Sequence, residues 1–284
     1  MTWQRVCIIG VGLLGGSIGM RLRRDGLAKQ VVGLGRDARK LTAAIDVGAI
    51  DLGFDRCELA AKDADLIIAC TPVQQIASSL LEAAAWAKPD ALFTDVGSTK
   101  LSIVAGLGAT TIRKRFVGSH PIAGSDKSGV EYAVPELFEG RLVVLTPTDS
   151  PTLKDVQVIN DFWKQLGAIT KTMTAAEHDQ AIAITSHLPH VLASIMAMST
   201  PKELLDVTGT GWSDTTRIAG GNPQLWRQIL EENQGPVLRA LKNFATISRE
   251  WMAAIEAKDF ERVEQLLIAG KEIRDIVGNR YSSG

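Results

Sequence analysis

Three groups of residues have types and spacings that could do chemistry. The first is Gly10-Val11-Gly12-Leu13-Leu14-Gly15. It follows an apolar run, Arg5–Ile9, and opens a helical pattern, the context in which GxGxxG binds a dinucleotide. Gly10 permits a tight turn, Gly12 lets backbone approach a pyrophosphate, and Gly15 lets helix and strand pack closely. The unpaired N–H groups of the first helical turn, at Leu13 and Leu14, then face the phosphates. A ligand-free glycine turn is the plain alternative. The second group is the histidines: all four, His120, His178, His187 and His190, fall between positions 120 and 190. Imidazole changes charge near neutral pH and can move a proton; for any single histidine, a satisfied structural ring is the ordinary alternative. His187 and His190 are spaced i,i+3 but lack a third ligand, so no metal is expected. The third group is Asp214 and Arg217, whose i,i+3 spacing lets the carboxylate hold the guanidinium or makes a simple surface pair.

The end of the second apolar run, Gln30–Leu34, bears on the cofactor. An NAD-type site places an acid about 20 residues after the glycine loop to hold the ribose 2′-OH. Here that place holds Gly35 and then Arg36. Glycine removes an anion that would repel a 2′-phosphate, and arginine offers a two-point grip on it, which favours NADP over NAD. Asp37 could serve as the ribose acid or as the N-cap of Ala38-Arg39-Lys40-Leu41. Thr71 and Pro72 end a further apolar run, where cofactors lie in open α/β sheets.

The elements that must position these residues follow from periodicity. Strands are expected at Arg5–Ile9, Gln30–Leu34, Asp65–Cys70, Ala91–Val96, Phe116–Gly118, Leu142–Thr146 and Ala168–Met173. A helix after Pro72 places Val73, Ile76, Leu80, Leu81 and Ala84 on one face, and another spans Thr152–Leu166. Alternating strands and helices predict a Rossmann-type, doubly wound parallel sheet over residues 1–174. Residues 175–284 then read as an all-α domain, with helices at Glu177–Ser199, Leu225–Ala257 and Asp259–Val277, the middle one kinked at Pro236. Their excess of apolar surface predicts a homodimer through this domain. A net charge of −1 gives no reason to expect nucleic acid or an anionic membrane as partner. The three cysteines form no CxxC pair and read as buried thiols of a reducing compartment. With no secretory or membrane-spanning pattern at the N-terminus, a cytoplasmic protein acting on a small molecule is expected.

The chain resembles the prephenate/arogenate dehydrogenase family of tyrosine biosynthesis. The resemblance rests on Gly10–Ser17, Cys70-Thr71-Pro72, Thr94–Lys100, Ser119–Ser125, His178-Asp179, Ser186–His190 and Asp214–Arg217. It implies oxidative decarboxylation of a cyclohexadienol: hydride leaves C4 for the nicotinamide, CO2 leaves C1, and the ring becomes aromatic. It assigns His120 as acceptor of the C4 hydroxyl proton. Ser98 would orient His120 and approach the nicotinamide, or cap a helix before Lys100. His190 and Arg217 would bind substrate carboxylates, with Asp214 steadying Arg217. Ser125 would line the pocket, and Asp126 would stand near its entrance. His187 would set a turn at Leu188-Pro189, and His178 is left without a role. Many members carry an acid where Gly35-Arg36 stands; NADP-using, arogenate-preferring members carry a small residue and then arginine.

Two other functions use parts of the same pattern. Another Rossmann-plus-helical dehydrogenase, acting on a β-hydroxy acid or an imine, would share the glycine loop and helical domain. A non-catalytic dinucleotide sensor would need the loop but would leave His120, His190 and Arg217 without a task.

Overall fold

Short β-branched strands joined by amphipathic helices can pair in parallel, because each helix carries the chain back along the sheet. In the computed structural model, which describes residues 2–123 and 127–281 (the side chains of 277–281 excepted), they do so. Strands β1 (Val6–Ile9), β2 (Val31–Leu34), β3 (Leu52–Phe54), β4 (Leu66–Ala69) and β5 (Leu92–Asp95) form a parallel sheet in the order β3-β2-β1-β4-β5. Helices α1 (Leu13–Arg24), α2 (Ala38–Asp46), α3 (Cys57–Ala61), α4 (Val73–Ala84) and α5 (Leu101–Leu107) connect or follow them. Strand β3 escapes the sequence pattern: it is three residues long, includes Gly53, and leaves Leu52 exposed.

Side chains of β1 alternate between two cores, as the pleat requires. Val6 and Ile8 pack with Ile18 and Leu22 of α1 and with Ile159, Phe162 and Trp163. Cys7 and Ile9 pack with Ile76 and Leu80 of α4 and Ile103 and Leu107 of α5. Each of these side chains contributes about 1.5–3 kcal/mol by leaving water, so the glycine loop that follows Ile9 leaves a strand fixed on both faces.

A second sheet, β6-β7-β8, consists of β6 (Val117–Pro121), β7 (Leu142–Pro147) and β8 (Ile169–Thr172), with α6 (Leu153–Gln165) between β7 and β8. A parallel bridge, Phe93 to Phe116, joins it to β5. Two details differ from expectation. Strand β7 runs antiparallel to β6, which needs no crossover helix. Strand β6 extends to Pro121, so His120 lies within it, opposite Val144, rather than after it.

The remaining chain is helical: α7 (Ala175–Ile182), a π-helical turn (Ala183–His187), α8 (Leu188–Met198), α9 (Thr210–Thr216), a 3-10 turn (Arg217–Gly220), α10 (Pro223–Glu232), α11 (Gln234–Glu256) and α12 (Phe260–Tyr281). The expected turn at Leu188-Pro189 is absent. The chain stays helical there, and Pro189, which has no N–H to give four residues back, falls in the first turn of α8 directly after the widened π turn. Nor is 225–257 one helix kinked at Pro236. It breaks at Asn233, and Pro236 falls in the first turn of α11, where its missing N–H costs nothing. The run Ala175–Met198 is long and apolar enough by length and composition to cross a bilayer, yet it carries the buried His178, Asp179, His187 and His190. By contacts the chain divides into two compact units, Met1–Gln234 and Gly235–Gly284; the first runs on past residue 174.

Candidate active site

The glycine loop sits where β1 and β4 end side by side, beneath the reversal in strand order where ligands bind in open sheets. Gly10 has φ +90°, and a Cβ there would stand 2.9 Å from the Cys70 carbonyl oxygen. A Cβ on Gly15 would stand 2.4 Å from the Gly10 oxygen, so the first turn of α1 can lie against β1 only with glycine. Around Gly12 a Cβ would meet nothing within 4 Å, so the approach to the backbone is open. Gly12 caps α1 without a side-chain bond, and the first turn has no acid. Leu13 and Leu14 begin the helix whose N–H groups point into that opening. The Thr71 hydroxyl is buried there without a partner among the described residues, and Pro72 caps α4. An anion-binding cradle with an orphaned donor fits a dinucleotide pyrophosphate. At the end of β2, Asp37 caps α2, its carboxylate accepting from Arg39 N at 2.9 Å. Arg36 beside it is exposed.

A continuous polar chain begins at the end of β5. Asp95 is fully buried and takes N–H bonds from Gly97 (2.8 Å) and Ser119 (3.0 Å) and a bond from the buried Lys100 ammonium. Burial pulls Lys100 below its usual value, while Asp95 and Asp179 oppose that pull. Lys100 N and the neighbouring Leu101 N donate to the two oxygens of Asp179 at 2.8 and 2.9 Å. Asp179 Oδ1 also lies 2.8 Å from His178 Nδ1, and His178 Nε2 lies 2.8 Å from His120 Nδ1. The local reason is a capping box: Thr174 and Glu177 start α7 and set the direction in which His178 and Asp179 emerge.

His120 is thus oriented from behind by His178, not by Ser98. Ser98 is half-buried and forms no hydrogen bond to His120 among the described residues. It does not cap α5 either, because Asp179 holds the N–H groups at that helix start. Burial, the Lys100 charge and the rings of His178 and His187 hold His120 well below the ordinary histidine value.

The other two histidines lie on the next turns of the same helical run. His187 Nδ1 is 3.1 Å from Asn233 Nδ2, which also donates to the Asp179 carbonyl at 2.8 Å. Burial lowers His187 to about 4. The His190 ring stacks on Trp226 with centroids 3.6 Å apart and planes 11° from parallel. Among the described residues its Nδ1 is buried with no hydrogen-bond partner, and burial lowers its pKa. The turn that starts at Arg217 packs on α8, which carries His190. Arg217 and Asp214 are both exposed, and among the described residues no ion pair joins them. Helix α9 ends at Thr216, and Arg217 opens the 3-10 turn that follows. Ser125 and Asp126 lie outside the described residues.

Sequence reasoning missed the work of His178, Asp179, Lys100, Asn233 and Trp226. The His178-Asp179 dipeptide was a visible signal, but its partners are distant in the chain. Among the described residues no group of acids, histidines and cysteines could hold a metal ion.

Comparisons with known proteins identify the family and the fold. A model of the prephenate dehydrogenase nucleotide-binding domain matches residues 18–172, and a model of the prephenate dehydrogenase dimerization domain matches residues 174–269. The prephenate dehydrogenase of Bacillus subtilis is 31% identical over 278 residues, 95% of this chain and 75% of its own. The crystal structure of prephenate dehydrogenase from A. aeolicus, in complex with hydroxyphenyl propionate and NAD+, superposes with a TM-score of 0.87 at 32% identity, covering 97% of this chain and 99% of that one. Synechocystis arogenate dehydrogenase gives a TM-score of 0.85 at 28% identity, covering 96% of this chain and 100% of its own. With a Rossmann-type sheet, a helical C-terminal part and both domain models matched in order, the chain belongs to the prephenate dehydrogenase family.

Proposed function

We infer that the protein oxidises prephenate or arogenate with loss of CO2, giving 4-hydroxyphenylpyruvate or tyrosine. The observation that carries this reading is His120: a ring kept neutral by its surroundings, held at Nδ1 and without a partner at Nε2 among the described residues, in the strand next to the cofactor edge of the sheet. A nicotinamide dinucleotide, when bound in the glycine cradle, supplies the hydride acceptor. His120 takes the C4 hydroxyl proton as hydride departs. His190, through its unpaired Nδ1, and Arg217 bind the carboxylates, with Trp226 holding the His190 ring. Ser98, Ser125 and Asp214 complete the proposed set of polar residues for cofactor and substrate. The functional division falls between a dinucleotide-binding part, 1–174, and a helical part, 175–284, through which two copies pair. Three free thiols, with Cys7 pushed by burial to about 12 and Cys57 to about 11, suit a cytoplasmic protein.

Arg36, with no acid at the end of β2 other than the capping Asp37, supports NADP over NAD. The test is steady-state kinetics with prephenate and arogenate, each with NAD and NADP, followed at the nicotinamide absorbance. Turnover of at least one dienol is expected, with the higher kcat/KM for NADP. Failure with both dienols overturns the substrate; a preference for NAD removes Arg36 from the cofactor site.

A further inference from the structure

The polar chain behind His120 has a direction, and the direction can be worked out. Asp179, as a carboxylate, only accepts. Its oxygens already take two backbone N–H bonds, and Oδ1 faces His178 Nδ1 at 2.8 Å. The hydrogen in that last contact therefore sits on His178 Nδ1. A neutral imidazole carries one N–H, so His178 Nε2 is bare. It faces His120 Nδ1 at 2.8 Å, and two bare nitrogens at that separation would repel. The hydrogen between the rings therefore belongs to His120 Nδ1. That leaves His120 Nε2 with a lone pair and, among the described residues, no partner. A protonated His178 would reverse the order and put a hydrogen on Nε2, where it could receive nothing. The charged and titratable groups around the two rings are Lys100, Asp95, Asp179 and His187.

We propose that His178 and Asp179 are positioning residues that fix His120 in the tautomer whose bare Nε2 takes the proton of the substrate alcohol. This rests on the oxidative decarboxylation inferred above. As Nε2 takes the proton, the C4–H bond breaks with its electron pair leaving as hydride, and C4–O becomes a carbonyl. His120 then carries two N–H bonds and one positive charge, with its Nδ1–H directed at His178 and, beyond it, the Asp179 carboxylate. When the C1–carboxylate bond breaks, its electron pair enters the ring and the C4 oxygen becomes a phenolate. The phenolate recovers the proton from Nε2. No proton is gained or lost over the cycle, and the starting tautomer returns.

With only four histidines, ring 15N–1H correlation of 15N-histidine-labelled protein can assign each ring, the pair lost in His120→Asn being His120. The expected spectrum has the hydrogen of His120 on Nδ1 and Nε2 bare; a hydrogen on Nε2, or an even mixture, overturns the proposal. A kinetic arm compares His178→Leu, which removes the acceptor, with His178→Gln, whose carbonyl can still accept from Nδ1. The expected loss of kcat is about 100-fold or more for leucine, of the size general acid–base catalysis contributes. KM and cofactor affinity should stay within about threefold, and glutamine should recover about tenfold. Near-normal kcat in the leucine variant, or no recovery with glutamine, overturns the proposal. If the leucine variant does not fold, the wild-type ring spectrum decides alone. Wild-type protein that turns over neither dienol sinks the functional reading, and the ring spectrum still tests the tautomer.

Discussion

At the scale of single residues, the environment of His120 makes a prediction about pH. The ring must be neutral to take a proton, so activity needs a pH above its pKa. Burial, then the Lys100 charge, then His178 and His187 all act to lower that pKa from 6.5. The acid limb of kcat/KM, which reports the free enzyme, should therefore lie well below pH 6.5, with activity flat through neutrality. A limb at or above 6.5 would mean that another group is the base. The same residues show what a sequence can carry. The motifs that hold His120 and His190 are visible in the sequence, as is the burial-prone helical run that carries His190. The bond from His178 to His120 was not, because it joins residues 58 apart in the chain and depends on where α7 leaves the end of β8. The helix cap that Ser98 could offer before Lys100 does not form, because Asp179, distant in the chain, takes the N–H groups there.

At the scale of elements, the buried Lys100–Asp95 pair ties the end of β5 to α5, while Asp95 also holds β6 through Ser119 N and the backbone of Lys100 holds α7 through Asp179. Breaking such a pair from one side leaves a buried charge without its counterpart, which costs about 3–5 kcal/mol. Lys100→Met should lower stability by about that much in urea denaturation, and adding Asp95→Asn should restore part of it. Equal stabilities for the single variant and the native protein would show that water or another cation replaces the ammonium. Strand and helix identities near the cofactor were readable because short apolar runs and the glycine loop reinforce each other. The boundaries that failed are those set by tertiary contacts. Asn233 ends α10 where its side chain reaches the Asp179 carbonyl and His187, and no local pattern announces that.

At the scale of the whole molecule, α11 and α12 leave Phe244, Ile247, Ile255, Phe260, Leu267 and Ile273 exposed, Phe260 at 65% and Ile273 at 67%. Single exposed apolar residues are ordinary, but many on two helices of one small unit mark a surface built to be covered. A second copy of the chain covering it should give twice the single-chain mass in sedimentation equilibrium. Ile273→Glu, which would bury a charge in that contact, should shift the protein toward monomer. A native mass equal to one chain at micromolar concentration would rule out the pairing. The helical periodicity already gave the apolar excess away, whereas the division into compact units at Gln234 depends on packing that periodicity does not encode.

The π turn at Ala183–His187 has a consequence for how the site could have been assembled. His178 and His190 are twelve residues apart. In an uninterrupted α-helix they would point about 120° away from each other, since each residue advances about 100°. A π turn absorbs roughly one extra residue without advancing the spiral, taking about 100° off that angle. The two rings therefore come nearly into phase because the widened turn absorbs one residue. Deleting Ile184 would leave eleven regular helical steps between the two rings, which reach about the same phase, so the variant should keep His190 stacked on Trp226, an outcome that ring contacts in NMR would read.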